Sequence, residues 1–253
     1  MSFSRRNSDR RREAPKGGAT TNRIARLAMV ALCVCGSKAS AQSGSVGYPP
    51  THSPYVDLEY HQEFTIIGGQ FHAHRDPAHV GPQSGLLLGA HYEWRPTGPI
   101  HLIAEFDRID SDRRLINPSK PAGVARELGT VSRPLWTGDL GLGLGLTGGK
   151  TWHHIAPEIS GGVGAISDFH SEPDSGGFRF GTRFAFTWGA GLKIVPGGRW
   201  QVRADLKNRS YTLSYPEAYF LTPAGGQPVV DAAQPKSFWM NNPSYTLGLS
   251  YLF

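Results

Sequence analysis

Charged side chains that could do chemistry recur on one parity of the chain. Glu93, Glu105, Asp107, Asp139, Glu158 and Asp205 share it with Arg95, Arg179, Arg183, Lys193, Arg203 and Lys207. Acids and bases brought into one enclosed space form an ion path, a proton relay or a charge-paired filling. The width of the space decides, because a buried charge without a partner costs several kcal/mol. Histidines are plentiful. His72 and His74, spaced i, i+2 on a strand, would share a face and offer two imidazoles to a surface metal, but no third ligand is near. His153 and His154 are adjacent and point to opposite faces of a strand. Ser210 and Ser214 would stand at the outer end of a strand, yet Lys207-Asn-Arg-Ser210 holds no histidine to serve as base. His170, Ser171 and Glu172 are neighbours in a polar stretch, which is adjacency and not triad geometry. Gly141-Leu-Gly-Leu-Gly145 lacks the spacing and the following helix of a nucleotide-binding run. We therefore expect no catalytic, cofactor-binding or metal residues and no cofactor.

The elements that carry these residues show a period of two. Trp200, Val202, Ala204 and Leu206 alternate with Gln201, Arg203, Asp205 and Lys207. Phe178 to Ile194, Trp136 to Leu146, Ile155 to Ala165, Leu86 to Trp94, Ile100 to Phe106 and Tyr245 to Phe253 alternate similarly, and residues 60–72 more loosely. Such runs predict strands with one apolar and one polar face. Gly68-Gly69 suggests a bulge, and Pro157 a local weakness in its ladder. Eight strands result. Tight turns at 95–99, 147–150 and 196–199 alternate strictly with longer connections at 73–83, 109–134, 168–177 and 210–243. Short turns on one side and long loops on the other are the pattern of a transmembrane barrel. The polar parity is also rich in glycine, at Gly141, Gly143, Gly145, Gly181, Gly189 and Gly191, as a narrow lumen requires.

Charge distribution isolates the N-terminus. The whole chain of 253 residues carries a formal +6, but residues 1–41 hold nine of its 26 basic residues and two of its 20 acidic ones. The remainder is close to neutral, which removes the case for a nucleic-acid binder. Basic residues, the apolar run Leu27–Cys35 and the small residues Ala39-Ser40-Ala41 form the pattern of a cleaved secretory signal. The run is too short to cross a ~30 Å hydrocarbon core as a helix. Both cysteines, Cys33 and Cys35, fall inside it, so the exported part has neither disulfides nor thiolate metal sites.

The last nine residues, Tyr245-Thr-Leu-Gly-Leu-Ser-Tyr-Leu-Phe253, resemble the closing strand of small bacterial outer-membrane barrels, the eight-stranded class of the OmpA transmembrane domain, OmpX and OmpW. The resemblance covers about residues 59–253. It implies an all-β fold, an eight-stranded antiparallel up-and-down transmembrane β-barrel after an N-terminal signal peptide. The organisation expected is signal peptide 1–41, periplasmic lead-in 42–58 and barrel 59–253, in the outer membrane of a Gram-negative-type bacterium. Partners implied are outer-membrane lipid, lipopolysaccharide and the barrel-assembly machinery, which reads the strand ending at Phe253. No nucleic acid is expected, and the chain is expected to be a monomer. Eight strands leave room only for side chains, so the lumen set reads as a charge-paired plug. The function expected is non-enzymatic, structural or surface-interacting through the long loops. A narrow OmpW-like channel for small hydrophobic molecules is the alternative, and a lipid A-modifying enzyme the third. Arg113, Arg114, Lys120, Arg126 and Arg133 in the second long loop could pair with lipopolysaccharide phosphates. The aromatic fourth loop either extends the strands or folds over the barrel mouth.

Overall fold

The computed structural model describes residues 53–123 and 125–253. The expected signal peptide and residues 42–52 of the lead-in lie outside the described residues. Alternating β-branched, aromatic and leucine residues build the strands β2 (Gln62–Phe71), β3 (Gly85–Thr97), β4 (Ile100–Ile109) and β7 (Leu135–Gly145). The others of the barrel are β9 (Ile155–Ser167), β10 (Thr182–Gly197), β11 (Trp200–Ser214) and β12 (Ser237–Leu252). These eight pair antiparallel in the order β9-β10-β11-β12-β2-β3-β4-β7, and β7 returns to β9 to close the barrel. Closure leaves no unpaired edge.

The tight turns stand where expected. Gly98 and Gly198 take φ of +67° and +73°, which a two-residue hairpin turn needs and other residues resist. Short accessory strands complete the fold. β1 (Tyr55–Asp57), in the lead-in, pairs with β8 (Lys150–Trp152) on the β7–β9 hairpin, while β5 (Asp112–Ile116) and β6 (Glu127–Ser132) form a hairpin inside the second long loop.

Four expectations are corrected. Gly68 and Gly69 keep regular register with Leu88 and Leu87, so no bulge occurs there. Gly69 is instead a point of close backbone approach, where a Cβ would lie 1.9 Å from the Tyr245 carbonyl oxygen. The sixth strand begins at Thr182, not at 178, because the left-handed Gly177 and Gly181 turn Phe178 and Phe180 away from the ladder and into a buried cluster. The fourth long loop is shorter than expected, since β11 and β12 stay paired out to Ser214 and Ser237. Pro157 does not disturb its ladder: it lies one residue past the last pair between β9 and β7.

The two faces differ as solvent differs. Outward side chains are apolar and bare, with Ile66 and Leu140 each 67% exposed and Leu247 66%. Aromatic rings gather near both rims. Phe106 meets Trp136 and Phe186 meets Trp239 at the outer one, and Trp200 meets Tyr251 at the other. Inward positions hold the buried charges. An exterior this apolar around a charged interior is stable only when hydrocarbon is the outer solvent.

Candidate functional site

Inward parity on β2, β3, β9, β10 and β11 brings Glu63, Glu93, Glu158, Lys193, Arg203 and Asp205 into one cluster, all of them buried. The Lys193 ammonium lies 3.2 Å from Glu63, 2.6 Å from Glu93 and 2.9 Å from Glu158. The Arg203 guanidinium donates to both oxygens of Asp205 at 2.8 and 2.9 Å, to Glu158 at 2.7 Å and to Glu63 at 3.2 Å. On the circle of eight strands, β3 and β10 are four places apart. The Glu93–Lys193 contact therefore crosses the full lumen and leaves no open bore at that level.

A second cluster lies farther along the strands. Arg209 on β11 reaches Glu105 at 2.9 Å and Asp139 at 3.0 Å, and it also pairs with Asp107. Lys207 pairs with Glu105. β4 and β11 are again four places apart, so this cluster also spans the bore. His91 bridges the two levels, with Nδ1 2.8 Å from Glu105 and Nε2 3.7 Å from Glu93. His101 adds contacts of 3.6 Å to Glu93 and 3.4 Å to Glu158. Glycine makes the space. A Cβ on Gly143 would lie 1.9 Å from His101 Nε2, and one on Gly191 would lie 2.5 Å from Asp205 Oδ1.

Nearly all of the charged set expected in the lumen is found there. Arg95 sits at the rim, 3.1 Å from Glu93 and bonded to the Tyr60 carbonyl. Arg179 and Arg183 do not belong to it, because both lie at the outer end and donate to loop carbonyls of Ser171, Phe180 and Arg179. Glu63, Arg209, His91 and His101 were not in that set. Carrying the alternation two residues further on β11, and through the noisier β2, would have found Arg209 and Glu63.

Among the described residues, two groupings have metal-ligand geometry: Glu93 with His101 and Glu158, and Glu105 with Asp107 and Asp139. Lys193, Arg203 and Arg209 already supply the positive charge in both. His72 and His74 fall beyond the end of β2 and are exposed, and His72 packs edge-on against Tyr245. His153 and His154 stand in the turn before β9, both in the left-handed region. His170 Nδ1 faces Arg133 at 3.4 Å. Ser210 donates to Asn241 at 2.6 Å, and no hydrogen bond joins it to His170 among the described residues.

Above the charges the lumen ends in an apolar layer. Every barrel strand contributes to it: Phe71, Leu87, Ile109, Leu135, Ile166, Ala185, Tyr211 with Leu213, and Met240. The long loops complete this core with Val80, Ile116, Phe178, Phe180, Tyr215, Tyr219 and Val230. The loops thus fold into a cap over the barrel mouth. Tyr215 stacks on Tyr219 at 5.7 Å, and Phe178 lies against both.

Polar keystones tie the loops together. Asp76 accepts from the Val80 and Gly81 amides at 3.2 and 2.9 Å and from the Tyr215 hydroxyl. Burial, reinforced by that carboxylate, pushes the Tyr215 hydroxyl above the ordinary tyrosine range. Arg113 is buried, 3.4 Å from Asp174 and 3.9 Å from Asp168, with its guanidinium 5.1 Å from the centre of the Phe178 ring. Burial draws its pKa down, and Asp174 opposes this. The five cations of the second loop are therefore mostly engaged within the cap. Arg114 pairs with Glu127, Arg126 donates to the Lys120 and Gln227 carbonyls, and Arg133 faces His170. Lys120 is exposed.

No protein-family model matches the chain, and no curated protein matches it. Solved structures do. The N-terminal β-barrel domain of Pseudomonas aeruginosa OprF is 14% identical, with a TM-score of 0.41, over 79% of this chain and 98% of that one. Neisserial surface protein A is 9% identical, with a TM-score of 0.44 and the same coverage. OprG from Pseudomonas aeruginosa is 14% identical, with a TM-score of 0.42, over 77% and 97%. On its own strand order, closure and apolar exterior, the chain has the fold of the small eight-stranded outer-membrane β-barrels.

Proposed function

We propose that this chain is a non-conducting, non-enzymatic scaffold of the outer membrane that displays its folded loop cap for interaction at the cell surface. The observation that carries this reading is the double seal of the lumen: ion pairs that cross it from β3 to β10 and from β4 to β11, and an apolar core closing its outer end. A channel for hydrophobic molecules needs an apolar conduit, whereas the middle of this bore is filled with charge. Residues 1–41 serve as the export signal, and the strand ending at Phe253 presents the chain to the assembly machinery. Outer-membrane lipid and lipopolysaccharide surround a monomer.

Refolded protein in a planar bilayer is expected to give no steady single-channel current. A steady current would sink the plug. Lys120→Cys, in the exposed second loop, is expected to react with a membrane-impermeant maleimide on intact cells. A lack of labelling would overturn the outward display of the cap.

A further inference from the structure

The first long connection, residues 72–84, and Arg114 of β5 enclose a cavity of about 500 Å³ on the cap. Its wall is cationic and rich in donors. Arg75 and Arg114 bring guanidinium groups, His74 and His79 imidazoles, and Gln83 an amide. Asp76 is the acid in this wall, and both of its oxygens are engaged by Val80, Gly81 and Tyr215. Its carboxylate therefore holds the wall together. Arg75 is exposed and makes no ion pair among the described residues. Arg114 is paired with Glu127, but that pair is largely open to solvent, and such pairs hold a side chain weakly. His79 stands at the rim at φ +56°, its amide donating to the Asp76 carbonyl at 3.0 Å.

We propose that this cavity binds a saccharide phosphate. Guanidinium groups recognise phosphate oxygens through paired, charge-assisted bonds. The volume lies within the range of small-ligand sites and suits a single sugar ring with its charged substituent. Gln83 and the histidines are placed to meet hydroxyls. The proposal rests on the cap being an interaction surface, and it names the ligand chemistry of one part of that surface. The phosphate is carried either by lipopolysaccharide of the same membrane or by a soluble sugar.

The test uses the full refolded chain in detergent micelles, titrated calorimetrically with glucose 6-phosphate, with glucose and with micelles containing lipopolysaccharide. Glucose 6-phosphate is expected to bind at least about tenfold more tightly than glucose, the factor that one or two charge-assisted bonds supply. Arg75→Gln with Arg114→Gln is expected to abolish that difference, and Arg75→Glu alone to weaken binding in the same direction. Lys236→Gln, an exposed cation outside the cavity, is expected to leave it unchanged. A parallel loss of lipopolysaccharide binding in the double variant assigns the phosphate to the membrane, and a loss confined to glucose 6-phosphate assigns it to a soluble sugar. Equal affinity for glucose and glucose 6-phosphate, or undiminished binding in the double variant, overturns the proposal. If that happens while Lys120→Cys still labels on cells, the displayed-cap reading stands without this site.

Discussion

Arg203→Met removes the one guanidinium that touches all four carboxylates of the inner charge cluster. Four carboxylates lose a contact, but not equally. Glu63, Glu93 and Glu158 keep Lys193 at 3.2, 2.6 and 2.9 Å. Asp205 has only Arg203 among the described residues, and it is left buried and unpaired. Breaking a buried pair from one side costs about 3–5 kcal/mol. We expect a loss in that range, dominated by Asp205. With a urea dependence of ~2 kcal/mol per molar, the unfolding midpoint in lipid vesicles should fall by about 1.5–2.5 M. The double variant Arg203→Met with Asp205→Leu should recover most of the loss, since replacing a whole buried pair by apolar groups is close to neutral. The coupling energy of the cycle then separates the pair from the bulk of the arginine side chain. A cost below about 1 kcal/mol for Arg203→Met, or strictly additive effects, would falsify the plug: it would mean that water already solvates these charges.

Three further outcomes follow from the cap and from closure. The Tyr215 hydroxyl is held above the ordinary range, and unfolded tyrosine ionises near pH ~10. Its contribution is therefore complete below that pH and is lost as the pH rises above it. Burial holds the neighbouring Tyr219 hydroxyl up as well. Tyrosinate absorbance should therefore show a delayed class of residues that is smaller by one in Tyr215→Phe, and an unchanged delayed class or a titration with a single class would refute the assignment. Asp76→Ala removes the acceptor of two amides and a hydroxyl. It should cost roughly 2–3 kcal/mol locally, read as faster proteolysis within residues 72–84 and 215–236 while the strands stay protected. Gly69→Ala places a Cβ 1.9 Å from a backbone oxygen of β12. Refolding yield, followed by the altered gel migration of closed barrels, should fall sharply, whereas Gly149→Ala, in the turn before β8 where a Cβ would come no closer than 3.9 Å to any atom, should still close.

Strand number, topology and the position of every tight turn could be read from the chain, because hydrocarbon imposes a strict two-residue alternation on any strand that crosses it. The same alternation placed Glu93, Glu105, Asp107, Asp139, Glu158, Lys193, Arg203, Asp205 and Lys207 inside. It could not say which acid meets which base. Glu93 and Lys193 are 100 residues apart and touch because closure sets β3 opposite β10, a relation fixed by the circle and not by spacing along the chain. The loops obey no period, so their fate was hidden. Phe178 and Phe180 sit on the parity of a membrane strand, and Arg113 reads as a surface cation. Only the packed cap, with its own apolar core above the bore, puts all three inside. The charged residues of the lumen are thus a filling whose composition the sequence determines and whose pairing the closed barrel decides.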